Sequence, residues 1–336
     1  MLNTRYVIVG SGAAGIHAAL KIRNLAPQSS ITVFSQEPYP FYHKYDLPDY
    51  LAGKLKRDDL FHDENERFVK KSIHLRLRQK VTAIHCKEQT IRLNHNETVT
   101  YDKLLLATGV SACIHPTYEH FSPYLTLIST LSDVDTILAH REKLKKPLIL
   151  GGSLTALKIG MAFSEITKNV DYLMFQKLTG NLLVNTRDLK RVRNFLDRAG
   201  IRILENIDVE KIEKSGKGFS VQFSNGKKKI YSIIVAGFGV KPNIELAEAA
   251  GIRCDTGVLV NPHFESSIKN IYAAGDIAQI YHPGLKDYWV NFGWPNAIHQ
   301  GEIAAENMCG KKIPYRPDEI NVFSMKGLPI EIKSWQ

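Results

Sequence analysis

The sequence predicts an α/β fold in which one βαβ unit is inserted into another, and three observations carry this. An apolar strand runs into a glycine-rich turn, a helix and a second strand at the N-terminus; the same order returns near the middle; and three more apolar strands, between and after these units, each end in small residues.

The first unit is the clearest. "YVIV" (6–9) is a short, β-branched apolar run, as a parallel strand buried on both faces requires. It leads straight into Gly10-Ser11-Gly12-Ala13-Ala14-Gly15, an alanine-rich helix, the apolar run "ITVF" and Glu37. G-x-G-x-x-G alone is weak, but between a strand and a helix, with an acid beyond the next strand, it reads as a dinucleotide-binding fingerprint. Gly10 permits the tight turn, Gly12 lets the backbone approach a pyrophosphate, and Gly15 lets the helix pack on the strand. The helix N-terminus offers its N–H groups to phosphates. Glu37 falls 37 − 15 = 22 residues past the last glycine, where an acceptor for ribose hydroxyls belongs.

In the middle of the chain "KPLILGG" supplies strand and turn, "SLTALKIGMAFSEITK" an amphipathic helix and "VDYLMF" the next strand. Aligned on the fingerprint, Gly151 takes the first glycine, Ser153 the second and Ala156 the third, with Gly152 between. Ser and Ala are small enough to keep the turn, but they leave open whether a pyrophosphate can approach the backbone. The following strand ends in Leu173-Met174-Phe175-Gln176-Lys177, with no carboxylate for a 2′-hydroxyl and no Arg for a 2′-phosphate, although Lys177 adds charge.

The three remaining strands are "YDKLLLATGV" (101–110), "IIVAGFGVKPN" (233–243) and "IKNIYAAGDIAQI" (268–280). A small residue after a strand lets a cofactor or another chain come close. Their placement between and after the two units predicts nested Rossmann-like domains, a two-dinucleotide arrangement in three layers.

Composition sets the outer bounds. At 336 residues the chain exceeds one average domain of roughly 150 residues, so about two are expected. With 44% hydrophobic and 23% charged residues it reads as soluble and globular. No run reaches the ~18 apolar residues of a membrane span. The start, "MLNTRYVIVG", lacks the parts of a signal peptide, and a cytoplasmic location is the default expectation.

Cys86, Cys113, Cys254 and Cys309 are scattered and never spaced C-x-x-C, which argues against a local redox pair or zinc knuckle. They are expected to be buried or half-buried thiols. The twelve histidines are dispersed, and no metal site is expected. The balance of 44 − 34 = +10 favours acidic partners through steering. No zinc-finger spacing or RNP-like aromatic motif points to nucleic acid.

The order of G-x-G-x-x-G with Glu37, "LLLATG", a second nucleotide fold, "GVKPN" and "IYAAGD" resembles the FAD-dependent pyridine nucleotide–disulfide oxidoreductase superfamily. Within it, "EPYPFYHKYDLPDYLAGK" and "WPNAIHQGEIAAENMCG" are most similar to the NADH:rubredoxin reductase and nitrite-reductase flavoprotein branch. The resemblance covers nearly the whole chain. It implies FAD on the first unit, NADH or NADPH on the second, and hydride transfer across a stacked isoalloxazine. The implied domains are residues 1–112 and 242–310 for FAD, 113–241 inserted between them for NAD(P)H, and a truncated C-terminal extension, 311–336.

Residue by residue, the resemblance implies that Gly10, Gly12, Ala13, Ala14, Gly15 and Glu37 hold the FAD pyrophosphate and ribose. Val81, Ala107, Thr108 and Gly109 would border the same cofactor. Gly275 would give clearance beside Asp276, which would accept from the ribityl chain or reach the pyrophosphate through a water; Asp276 also reads as a helix N-cap. Lys44 matches the basic residue of Y-x-R-x-x-L and is the expected catalytic cation beside reduced flavin; it reads otherwise as a surface lysine. Gly151, Gly152 and Ser153 would face NAD(P)H.

The departures are informative. Neither of the superfamily's redox cysteine pairs exists here, and aligning "YDLPDY" on the single-cysteine branch puts Tyr45 at the cysteine position. Without a thiolate there is no nucleophile for a mixed disulfide. Lys158 stands where Glu is common. Only 336 − 276 = 60 residues follow Asp276, too few for the relatives' interface domain, so "YRPDEINVFSMKGLPIEIKSWQ" is expected to form one hairpin or strand pair and the flavin edge to be open.

The expected activity is electron transfer from NAD(P)H through flavin to an acidic rubredoxin- or ferredoxin-like partner, with Tyr288, Trp289, Phe292 and Trp294 near the contact. The alternatives are an FAD-carrying subunit of a larger complex that does not use nicotinamide, and an NAD(P)H oxidase. A homodimer is a further expectation that stays open.

Overall fold

A computed structural model describes residues 5–61, 66, 68, 70–173, 186–316, 321–325 and 328–332. The chain divides into two compact units. The first comprises Met1–His43, Phe61–Ser111 and Lys241–Pro317; the second comprises Lys44–Leu60, Ala112–Val240 and Asp318–Gln336. Among the described residues no helix is long and apolar enough to cross a membrane.

In the first unit, strands Ile271–Ala273, Lys103–Leu106, Arg5–Val9, Ser30–Phe34 and His74–Arg76 lie side by side in that order, all parallel. Ile8, Ile31, Val33, Leu104 and Leu105 are fully buried, which is why these strands read as apolar runs rather than alternating ones. The helix Ala13–Leu25 follows the first strand after the turn, with Ala18, Ala19 and Ile22 on its buried side. It stops at Ala26, before Pro27, whose ring disfavours helical geometry in the residue ahead of it. Strands Val81–His85, Thr90–Leu93 and Thr98–Thr100 form an antiparallel meander with Val81, Ile84, Ile91 and Leu93 turned into the core.

The second unit repeats this plan. Strands Ile201–Leu204, Val170–Leu173, Pro147–Leu150 and Ile233–Ala236 are parallel, in that order. An antiparallel meander, Val209–Ser215, Gly218–Phe223 and Lys228–Tyr231, accompanies them. Leu148 and Leu150 share a core cluster with Val209, Ile212, Val221, Phe223 and Tyr231 of the meander. Ile149, pointing to the opposite face, meets Gly160 of helix Leu154–Ile166. The alternation therefore separates helix, sheet and meander into the three expected layers.

Strands Asn321–Met325 and Leu328–Ile332 pair antiparallel, the strand pair expected of the C-terminal stretch.

Candidate functional site

The two glycine turns are built alike. A Cβ added at Gly10 would lie 2.1 Å from the carbonyl oxygen of Ala107, and one at Gly151 2.2 Å from that of Gly237. Both glycines have positive φ, +112° and +133°. In each unit the turn after the first strand is thus pressed against the end of a neighbouring parallel strand, and only glycine fits.

The turns differ in where the third small residue's methyl goes. Gly15 lacks it, since a Cβ there would meet the carbonyl oxygen of Gly10 at 2.0 Å. Ala156 carries it, and the room comes from Gly237, where a Cβ would stand 2.4 Å from that of Ala156. Gly237 was not among the predicted site residues. "AGFG" held the signal, but only the contact with Ala156 explains it.

They differ again at the helix N-terminus. Gly12 is extended, makes no side-chain cap, and a Cβ there would find nothing within 4 Å. The backbone N–H groups of the first turn of helix Ala13–Leu25 therefore face open space that an anion can enter. In the second unit the Ser153 hydroxyl accepts from the Ala156 N–H at 3.0 Å and donates to the Gly237 carbonyl at 2.8 Å. That helix start is capped from within.

Several predicted residues of the first unit converge on its open turn. Ala13 and Ala14 are buried at the start of the helix. Gly275 packs on Ala14, where a Cβ would come within 2.8 Å, and Gly301 of helix Trp294–Met308 meets the Ala14 carbonyl, which a Cβ would approach to 2.3 Å. Asp276 follows Gly275 and accepts from the Gly293 N–H at 3.1 Å. Burial pushes its carboxyl up to about 6, partly opposed by that hydrogen bond. Glu37, in the loop after Ser30–Phe34, accepts from the Tyr42 hydroxyl at 2.6 Å. Val81 begins the meander, buried.

Ala107, Thr108 and Gly109 lead to Ser111, where the chain leaves this unit. They are clasped by Asn243, soon after the chain's return: its side-chain amide donates to the Thr108 carbonyl at 2.8 Å, its N–H to the Gly109 carbonyl at 3.0 Å, and its own carbonyl accepts from the Thr108 hydroxyl at 3.0 Å. Asn243 was also missed as a site residue, although it ends "GVKPN".

Gly151, Gly152 and Ser153 lie in the second unit's turn, and Lys158 on the helix after it. Lys44 is exposed on the short 3₁₀ turn Lys44–Asp46 of the second unit. Met174 to Lys177, where the missing ribose acid was noted, lie outside the described residues. Of the aromatics, Trp294 stacks on Phe41 with centroids 5.6 Å apart, Tyr288 is exposed beside Tyr281, Phe292 is exposed and Trp289 half-buried. All four cysteines are half-buried and none forms a disulfide.

A cavity of about 890 Å³ opens in the first unit among Thr32, Phe34, His74, Arg76, Glu97 and Thr100, with no predicted site residue in its lining. Its Arg76 is already held by both oxygens of Glu97, at 2.6 and 2.7 Å. The open glycine turn, where unpaired backbone donors and carboxylates gather, is the better candidate.

The raised Asp276 carboxyl has a measurable cost. An acid with a folded pKa near 6 and an unfolded one near 3.8 binds more protons when folded, so stability falls as pH rises from about 4 to 6. Above that window the ionised group costs about 3 kcal/mol. Asp276→Asn keeps the acceptor without the charge. In the ligand-free protein it should raise the melting temperature at pH 7 to 8 and change it little at pH 4; parallel curves at every pH would disprove this.

Two nested parallel-sheet units, each with a glycine turn between its first strand and helix, define a two-dinucleotide class of protein. The sequence profile of the pyridine nucleotide-disulphide oxidoreductases matches residues 4–301. The chain is 27% identical over 312 residues to the assimilatory nitrate reductase electron transfer subunit of Bacillus subtilis (strain 168), covering 92% of this chain but 40% of that one. It is 28% identical to the NADH-rubredoxin oxidoreductase of Clostridium acetobutylicum, covering 94% of this chain and 77% of the relative. The reductase in the crystal structure of the covalent putidaredoxin reductase-putidaredoxin complex superposes with a TM-score of 0.83 at 26% identity, over 96% of this chain and 78% of that one. The chain belongs to the pyridine nucleotide-disulphide oxidoreductase family.

Proposed function

We propose that this chain is an FAD-dependent NAD(P)H oxidoreductase without a redox-active disulfide, passing electrons to an iron–sulfur or rubredoxin-like protein. The observation that carries the FAD assignment is the uncapped N-terminus at Gly12 with Glu37 on the next strand's loop. Helix N–H groups there would hold a pyrophosphate, Ala14 and Gly275 keep the approach free of side-chain bulk, and Glu37 would accept from the ribose. Asp276 would accept from the ribityl chain. Ala107 to Gly109 and Val81 would border the cofactor. Bound there, flavin accepts hydride and releases single electrons, chemistry the protein steers by positioning.

The second unit, with Gly151, Gly152 and Ser153, would take NAD(P)H, and Lys44 would supply positive charge near reduced flavin. The acceptor is proposed to be acidic, since a protein of charge +10 attracts such a partner at low salt. A reductase named for rubredoxin and one joined to putidaredoxin are among the relatives, in keeping with this reading.

The internal cap at Ser153 favours a second reading, an FAD-carrying subunit that does not use nicotinamide. Anaerobic titration separates them: NADH or NADPH bleaches the flavin in the first and leaves it oxidised in the second. Ser153→Gly frees the Ala156 N–H for a phosphate, and a hydrogen bond to a charged group is worth about 1.5 kcal/mol. The variant should therefore bleach at roughly tenfold lower reductant concentration. It should lose only a few tenths of a kcal/mol of stability, because glycine is itself tolerated at that cap. An unchanged titration would show that the cap does not limit binding.

A further inference from the structure

We propose that Tyr42 is a positioning residue that aims the Glu37 carboxylate at the adenosine ribose, and so makes the first unit favour FAD over FMN. The inference rests on the FAD assignment above and concerns a side chain that the glycine fingerprint does not include.

The backbone around Glu37 is tied at several points. The Ser35 hydroxyl oxygen accepts from the Glu37 N–H at 3.3 Å and from the Ser11 hydroxyl, in the glycine turn, at 2.8 Å. On the other side Arg78 N–H donates to the Glu37 carbonyl at 3.1 Å and Gln79 N–H to the Ser35 carbonyl at 2.8 Å. The phosphate end and the ribose end of the site are thereby joined through Ser11, Ser35 and Glu37.

These contacts fix the main chain, not the side-chain torsions. Immobilising a Glu side chain costs up to about 2 kcal/mol. Tyr42 meets that cost in advance: it is only 4% exposed, and its hydroxyl donates to Glu37 Oε2 at 2.6 Å. Its ring packs edge-on to Phe61, 6.2 Å between centroids. A buried phenol on a ring with two torsions is a stiff donor, so the carboxylate it holds is oriented before any ligand arrives. A ribose diol offers two O–H donors, and a fixed carboxylate accepts both without further ordering. FMN has no adenosine and gains nothing from this contact.

The test is flavin affinity of the reconstitutable apoprotein, measured for FAD and FMN with wild type, Tyr42→Phe, Glu37→Ala and the double variant. Tyr42→Phe retains the ring and its packing. The expected result is an FAD Kd raised about tenfold, an FMN Kd changed less than twofold, and no further loss of FAD affinity when Tyr42→Phe is added to Glu37→Ala. The rate of FAD release from the intact holoprotein, followed by flavin fluorescence, should rise in step. An unchanged FAD Kd overturns the inference, as do equal losses for FAD and FMN or additive losses in the double variant. A wild-type protein that takes up neither flavin overturns the FAD assignment itself, and this inference with it.

Discussion

Replacing Gly10 with alanine should destabilise the first unit by about 2–6 kcal/mol and abolish its flavin uptake. At φ +112° an alanine is strained, which costs about 1–3 kcal/mol. The new methyl would also overlap the Ala107 carbonyl, 2.1 Å away, and overpacking adds about 1–3 kcal/mol. Neither side can yield easily. Gly10 N–H is bonded to the Phe34 carbonyl at 2.8 Å and Ala107 N–H to the Val9 carbonyl at 2.8 Å, so moving either strand end breaks the sheet. Gly12→Ala is the control. It meets no atom within 4 Å, so the unit should melt within a few degrees of wild type while its FAD affinity falls. Urea unfolding and flavin retention distinguish the two variants; equal stability of both would contradict this account of the turn.

Asp171→Ala should destabilise the second unit by about 2–4 kcal/mol through a different mechanism. The Asp171 side chain is 1% exposed. Its carboxylate accepts from Arg202 Nε at 2.7 Å, Lys229 Nζ at 3.2 Å and the Tyr231 hydroxyl at 2.7 Å. Burial first, and the hydrogen bond to Asp171 second, push ionisation of the Tyr231 hydroxyl far above its ordinary range, so it remains a donor. Removing the acceptor leaves that buried hydroxyl unsatisfied, at about 1–3 kcal/mol, and ends the hydrogen bonds from Arg202 and Lys229, whose 56% and 25% exposed side chains return to water at about 1 kcal/mol. Adding Tyr231→Phe removes the orphaned hydroxyl and should restore about 1–2 kcal/mol. A single variant within 1 kcal/mol of wild type, or a double variant no better than the single, would refute this.

What the sequence made legible was local. The first turn is readable because strand, glycines, helix and acid follow one another within about thirty residues, each with its own physical requirement. The second was readable as a turn despite Ser153 and Ala156, because the apolar strand and amphipathic helix on either side keep their periods. What stayed hidden depends on residues far apart in the chain. Gly237 matters through Ala156, Asn243 through Thr108, and Tyr231 through Asp171. No window of sequence brings such partners together. Tyr42 and Glu37 are only five residues apart, yet nothing in strand or helix periodicity requires their side chains to meet across an irregular loop.

The single methyl position shared by Ala156 and Gly237 also constrains how the second turn can change. At this crossing the second turn has space for a single methyl, and Ala156 holds it. Moving that methyl to position 237 takes two substitutions, and their order is constrained. Ala156→Gly must precede Gly237→Ala, since the reverse order passes through two methyl groups in one place. The methyl can therefore change sides only through a variant in which the slot is empty.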